Sequence, residues 1–230
     1  MKYQGIDGVI VSGGNIQRDF ALDLLENLKK ESLDPPPLLA AADRGLEFFM
    51  ENHLCPDLVV GDFDSLSPEG ADYLKRLEKS VEVLRLKPEK DDSDTQSALN
   101  LVVQKGAKNV LLLGISGNRI DHFLANLGLL SLGRAKGVRV SLVDAWNYMT
   151  LVESGTVLKK KEQFGKFVSF FPVGGPVEGL TLTGFQYRLQ NKLLTVEDSG
   201  LTVSNEIVEE EACVTFRKGS LVMIMSRDGR

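Results

Sequence analysis

A chain of 230 residues that is 43% hydrophobic and 26% charged holds one large domain or two modest ones and can bury a core unaided, which excludes a disordered or fibrous protein. Its formal net charge of −5 has the wrong sign for affinity won by neutralising nucleic-acid phosphates, so no nucleic-acid partner is expected. No apolar run approaches the roughly 18 residues of a membrane span, so no membrane partner is expected either.

The opening MKYQGIDGVIVSGG lacks a basic segment followed by a long apolar run and a cleavage site, so it does not read as a signal peptide. Cys55 and Cys213 are far apart, with no second pair to form a metal cluster, and are expected to be reduced thiols. A cytoplasmic location follows as the expectation.

In chain order, strands are expected at Gly8–Val11, Leu38–Ala42, Leu58–Val60, Val81–Leu86, Val110–Ile115 and Val138–Val143. Most are nearly continuous apolar stretches, as strands covered on both faces are. Between them Gln17–Lys30, Arg44–Asn52, Pro68–Lys79, Thr95–Gln104 and Asp121–Leu132 have helical apolar spacing. The alternation predicts a doubly wound, mostly parallel sheet flanked by helices. After Trp146 the texture changes to short alternating segments between glycines, at Phe167–Pro172, Leu180–Thr183, Leu193–Val196, Ala212–Phe216 and Ser220–Met225. That pattern predicts a smaller antiparallel β-sandwich or jelly-roll. The division is placed at 148/149, giving domains 1–148 and 149–230.

In a doubly wound sheet ligands bind beyond the carboxyl ends of the strands, and here those ends are acidic. Strand two ends at Asp43, strand three at Asp62 and Asp64, strand four runs into Asp91, Asp92 and Asp94, and strand five into Asp121. Carboxylates gathered on one rim repel one another unless a cation sits among them, and hard oxygen ligands suit Mg²⁺. Gly13 and Gly14 form a turn where bare backbone can approach a ligand, while Lys90 and Arg119 can neutralise phosphate oxygens. Taken singly, Asp43, Ser65, Asp92 and Ser93 read equally well as helix N-caps. His53 reads as a surface residue at a helix end; His122 either touches a ligand or makes a structural hydrogen bond. The runs Lys159–Lys161 and Glu209–Glu211 read as solvated faces.

The ordered motifs AADRG (41–45), PDLVVGDFDS (56–65), KDDSDTQSAL (90–99) and GNRIDH (117–122), with GLTLTGFQYRL (179–189) and GLTVSNE (200–206), resemble the thiamine pyrophosphokinase family over nearly the whole chain. The resemblance implies transfer of the pyrophosphoryl group of ATP to the hydroxyl of thiamine, with Mg²⁺ required, giving thiamine diphosphate and AMP. It implies that Asp43, Asp62, Asp64 and Asp94 hold the metal and polyphosphate. Asp62, Asp64, Asp94, Arg119 and Asp121 are then the catalytic set, and Gly13, Gly14, Asp43, Arg44, Lys90, Arg119 and His122 the nucleotide contacts. Gln96, Asp121, Tyr187, Ser204 and Asn205 are the implied thiamine contacts, with Tyr187 standing where some relatives carry Trp. A homodimer is also implied, with active sites between subunits. Two rivals remain on the residues alone. The acidic rim permits a Mg²⁺-dependent phosphohydrolase, and an intact pocket permits a non-catalytic nucleotide or thiamine sensor.

Overall fold

A computed structural model describes residues 3, 5–31, 35–87, 89 and 91–229. The chain forms two compact units, Gly5–Ala145 and a second that runs from Trp146 onward and takes in Tyr3. The break at Ala145/Trp146 compares with the 148/149 read from the sequence.

The first unit alternates strands and helices: β1 (Gly8–Val11), α1 (Arg18–Glu31), β2 (Leu38–Ala42), α2 (Gly45–Glu51), β3 (Leu58–Gly61), α3 (Pro68–Leu77), β4 (Glu82–Arg85), α4 (Asp94–Gln104), β5 (Asn109–Leu113), α5 (Ile120–Ala135) and β6 (Arg139–Val143). The strands pair in parallel in the order β6-β5-β1-β2-β3-β4. The apolar strings explain this arrangement. Val9, Ile10 and Val11 of β1 and Leu111 and Leu112 of β5 are fully buried, and each such side chain contributes about 1.5–3 kcal/mol of hydrophobic stabilisation. β4 departs from the pattern because it is the edge strand, where Glu82 and Arg85 stay exposed, and charge on an edge discourages pairing with another chain.

Local signals set the element ends. Ser67 caps α3 by accepting the Gly70 amide at 3.1 Å, ahead of Pro68 at the first helical position, a pairing that favours helix initiation. Ser93 does the same for α4 through the Gln96 amide at 3.2 Å. Asp7 accepts the amides of Lys108 at 2.9 Å and Asn109 at 2.8 Å, which fixes the start of β1 against the start of β5. The chain leaves β1 towards β2, β3 and β4, then returns to place β5 on the other side of β1. That reversal creates the crevice where ligands of such sheets bind.

The second unit holds β7 (Asn147–Val152), β8 (Thr156–Lys159), β9 (Phe167–Pro172), β10 (Val177–Thr183), β11 (Leu189–Leu194), β12 (Asn205–Glu206), β13 (Glu211–Thr215) and β14 (Leu221–Ser226). They form two antiparallel runs, β12-β9-β14-β7 and β11-β10-β13-β8. Phe170 on β9 and Phe185 just after β10 meet edge to face at 5.6 Å, both fully buried, and so join the two runs through an aromatic contact. The strand expected at Leu193–Val196 is corrected. β11 ends at Leu194, and Val196–Thr202 forms a 3₁₀ helix started by the Thr195 hydroxyl, which donates to Asp198 at 2.8 Å. Of the apolar residues that suggested a strand there, Leu194 is fully buried at the end of β11, whereas Leu193 and Val196 face solvent, Val196 at 70% exposure.

Candidate active site

The carboxyl-terminal rim of the first unit encloses a cavity of about 560 Å³. Ser12, Gly13, Gly14, Asp43, Arg44, Asp62, Asp64, Asp94, Arg119 and His122 all line it. Five separate strand ends, β1 to β5, therefore bring the expected residues to one place.

Asp43 is the pivot of the acidic group. It directly follows β2 in a left-handed conformation, φ +46°, which Asp tolerates better than most residues. Its amide donates to the Val60 carbonyl at 2.8 Å, and the Ser65 hydroxyl donates to its Oδ2. Phe63, also left-handed at φ +67°, turns the chain between Asp62 and Asp64. Gly61 eases the approach, since a Cβ there would crowd the Asp43 Cα at 3.0 Å. As a result, carboxylate oxygens of Asp43, Asp62 and Asp64 lie within 4.8 Å of one another. Burial raises the Asp43 pKa above the ordinary carboxylate value, the charges of Asp94 and Asp62 add to the rise, and the Ser65 hydrogen bond opposes it. Asp43 Oδ1 is buried without a hydrogen-bond partner, a costly state for an anionic oxygen unless a cation satisfies it. Asp94 lines the same cavity but is not one of the three clustered carboxylates.

Gly13 and Gly14 both line the cavity, and the turn they form is also held to the loop after β5. The Gly14 amide donates to the Gly114 carbonyl at 2.9 Å and the Asn15 amide to Ser116 at 2.6 Å, so these donors are engaged by protein. A Cβ on Gly14 would lie 2.4 Å from both the Gly114 and Ser116 carbonyl oxygens, and one on Gly13 would lie 2.9 Å from Arg44 Cβ. The glycines allow the loops after β1, β2 and β5 to close on one another, and that closure shapes the cavity. Arg44 Nε donates to Glu47 at 3.0 Å, leaving a largely exposed guanidinium at the cavity wall.

After β5 the chain reaches Arg119, which precedes α5. Its guanidinium grips Asp121 through two hydrogen bonds, Nε to Oδ1 at 3.0 Å and the second to Oδ2. Those bonds hold the Asp121 pKa well below the usual carboxylate range. Arg119 lines the cavity whereas Asp121 does not. His122 lines it together with Ala125 and Asn126. Asn126 is buried and donates to the Ile115 carbonyl at 3.1 Å.

Other expected residues stand elsewhere. Lys90 lies outside the described residues. Gln96 is absent from the cavity lining and donates its amide to Asp92, which also accepts from Asn100 at 3.2 Å. Asp92 is thus committed to the flank of α4, and neither it nor Asp91 lines the cavity. In the second unit, Asn205 is buried, and its side chain both accepts the Tyr187 amide at 2.9 Å and donates to the Tyr187 carbonyl at 2.7 Å. It therefore holds the Tyr187 backbone in place, while Tyr187 as a residue is 58% exposed. Ser204, left-handed at φ +55°, is exposed and donates its amide to Ser169 Oγ at 2.9 Å.

Two features were missed. Ser12 and Thr95 share a buried hydroxyl hydrogen bond of 2.7 Å, which ties the end of β1 to the first turn of α4 next to Asp94. Asn126 follows His122 by four residues, a spacing that places both on one helix face, and that spacing was the available signal.

Residues 30–142 match the family model described as thiamin pyrophosphokinase, catalytic domain, and residues 155–221 the one described as thiamin pyrophosphokinase, vitamin B1 binding domain. The chain is 33% identical over 196 residues to a thiamine pyrophosphokinase of Bacillus subtilis, covering 85% of this chain and 90% of that protein. A crystal structure of the thiamine pyrophosphokinase from Bacillus subtilis superposes with a TM-score of 0.82 at 29% identity, over 96% of this chain and 99% of that one. That of the thiamin pyrophosphokinase from Geobacillus thermodenitrificans does so with 0.76 at 31% identity, over 96% and 97%.

Proposed function

The chain belongs to the thiamin pyrophosphokinase family, and from that membership we propose that it transfers the pyrophosphoryl group of ATP to the hydroxyl of thiamine, giving thiamine diphosphate and AMP. The observation that carries the site assignment is the cluster of Asp43, Asp62 and Asp64 with its unsatisfied buried oxygen. It lies inside the segment that matches a catalytic domain.

The donor set fits Mg²⁺, since it consists of carboxylate oxygens alone. Asp43, Asp62 and Asp64 are the residues that would hold the ion, which supplies charge neutralisation on the phosphate oxygens when bound. In the transfer, the thiamine hydroxyl oxygen forms a bond to the β-phosphorus and the bond from that phosphorus to the α-phosphate oxygen breaks, releasing AMP. Positioning and charge neutralisation do most of the work in such reactions. Arg119, at the cavity wall, offsets charge on the phosphates. Asp94 takes the hydroxyl proton. Asp121 is unsuited to that role because its bonds to Arg119 keep it a weak base.

In the second unit Tyr187 offers an exposed ring face to the pyrimidine of thiamine and Ser204 an exposed hydroxyl, with Asn205 fixing the backbone beneath them. The enzyme works as a homodimer whose sites are shared between subunits. A cytoplasmic location agrees with two free thiols, Cys55 and Cys213. The test is to incubate the protein with ATP and identify the nucleotide product with and without thiamine, Mg²⁺ and EDTA. AMP formed only when thiamine and Mg²⁺ are both present is expected. Phosphate release without thiamine would replace this reading with the phosphohydrolase, and nucleotide binding without turnover would replace it with the sensor.

A further inference from the structure

Phe63 occupies the left-handed region at φ +67°, where a bulky aromatic residue is a rare outlier. Such a conformation persists only where the surroundings over-determine it, and it gathers at sites where geometry serves function. Here it lies between Asp62 and Asp64, so the direction in which both carboxylates leave the chain depends on this one turn.

The edge strand supplies what holds it. Gly61 at the end of β3 stands opposite Arg85 at the end of β4, and the Leu86 amide donates to the Gly61 carbonyl at 2.9 Å. The missing side chain at Gly61 leaves room for the Phe63 ring, since a Cβ there would lie 3.0 Å from Phe63 Cε1. The Arg85 guanidinium sits over that ring, 5.2 Å from its centroid, within the range of a cation–π contact. Glu78, which ends α3, in turn orients the guanidinium by accepting from its Nε at 3.1 Å and from a second nitrogen. Phe63, Glu78 and Arg85 all stand outside the lining of the acidic cavity.

We propose that Arg85, oriented by Glu78, is a positioning residue for the metal site: its guanidinium on the Phe63 ring clamps the turn that aims Asp62 and Asp64 at a shared divalent cation. The inference rests on the reading that Asp43, Asp62 and Asp64 hold that cation. The sign of the effect separates the clamp from a simple charge effect. A guanidinium near a cation site repels the cation, so its removal would tighten metal binding if charge alone counted. Loss of the clamp loosens it instead.

Binding of Mn²⁺, standing in for Mg²⁺, to the full-length protein is titrated by the electron paramagnetic resonance signal of the free ion. The Arg85 side chain is 56% exposed, so Arg85→Met leaves the fold intact while taking the charge from the ring. The dissociation constant is expected to rise about two- to fivefold, the size of a cation–π contact expressed as a binding ratio. Phe63→Leu should weaken binding as well, and the double variant no further than the weaker-binding single one, because both changes remove one contact. Arg85→Lys keeps a cation over the ring and should stay nearer the wild type. Unchanged or tighter binding in Arg85→Met, or fully additive losses in the double variant, would overturn the clamp while leaving the metal site standing. A wild-type protein that takes up no Mn²⁺ would overturn both.

Discussion

Asp43 combines a left-handed backbone, a hydrogen bond from Ser65 and one oxygen without a partner. Its folded pKa lies above the ordinary carboxylate value, so the folded state binds a proton more readily than the unfolded chain. Such a group contributes stability below the ordinary carboxylate pKa and loses it as pH rises through the raised pKa. At neutral pH, without metal, the ionised Asp43 therefore opposes folding. Asn accepts the same backbone conformation, so Asp43→Asn is expected to raise the melting temperature of the metal-free protein at pH 7. The gain should shrink as pH falls through the Asp43 titration. Mg²⁺, which should stabilise the wild type by binding only the folded state, should leave this variant's melting temperature nearly unchanged. Thermal melts across pH, with Mg²⁺ and with EDTA, check each part, and a lower metal-free melting temperature in the variant would count against a repulsive cluster.

Among the elements, the turn after β1 depends on close backbone contact more than any other part of the rim. Gly14→Ala brings a Cβ to 2.4 Å from two carbonyl oxygens, and the required shift is expected to cost about 2–3 kcal/mol, read as a lower denaturation midpoint. The sequence indicated a glycine turn here, yet the reason for the glycines lay in the loop after β5, a contact across about a hundred residues that no local pattern shows. Where burial follows a local rhythm, reading was straightforward, so the strands and helices of the first unit stand within a few residues of expectation. Three strand-end acids could be placed together because parallel strands aim their carboxyl ends at one rim. Asp92 was read with the rim acids and Gln96 as an implied thiamine contact, but the hydrogen bond between them was not legible, since it depends on side-chain direction at the start of α4. The strands β7 and β8 went unread because they fall at the unit boundary, and β8 is a four-residue edge.

At the level of the whole molecule, the proposed chemistry draws on both units of one chain, with the acidic cavity in the first and the proposed thiamine contacts Tyr187 and Ser204 in the second. If subunits share sites, two inactive variants can rescue each other. Asp62→Asn removes one half of a site and a Tyr187→Ala, Ser204→Ala double variant removes the other. Refolded together, random pairing makes about half the dimers mixed, each with one intact site, and about a quarter of wild-type activity should return. No recovery would place both halves of each site in one subunit.

The central claim, that Asp43, Asp62 and Asp64 organise the transfer of a pyrophosphoryl group to thiamine, is tested most directly by following the β-phosphorus. ATP labelled at that position is incubated with thiamine and Mg²⁺, and the label is traced in the wild type and in Asp62→Asn. The expected result is label in thiamine diphosphate, one equivalent for each AMP, at a rate at least ~100-fold slower in the variant, about 2.7 kcal/mol of barrier. Label recovered in ADP or inorganic phosphate, or an undiminished rate in the variant at saturating Mg²⁺, would contradict it.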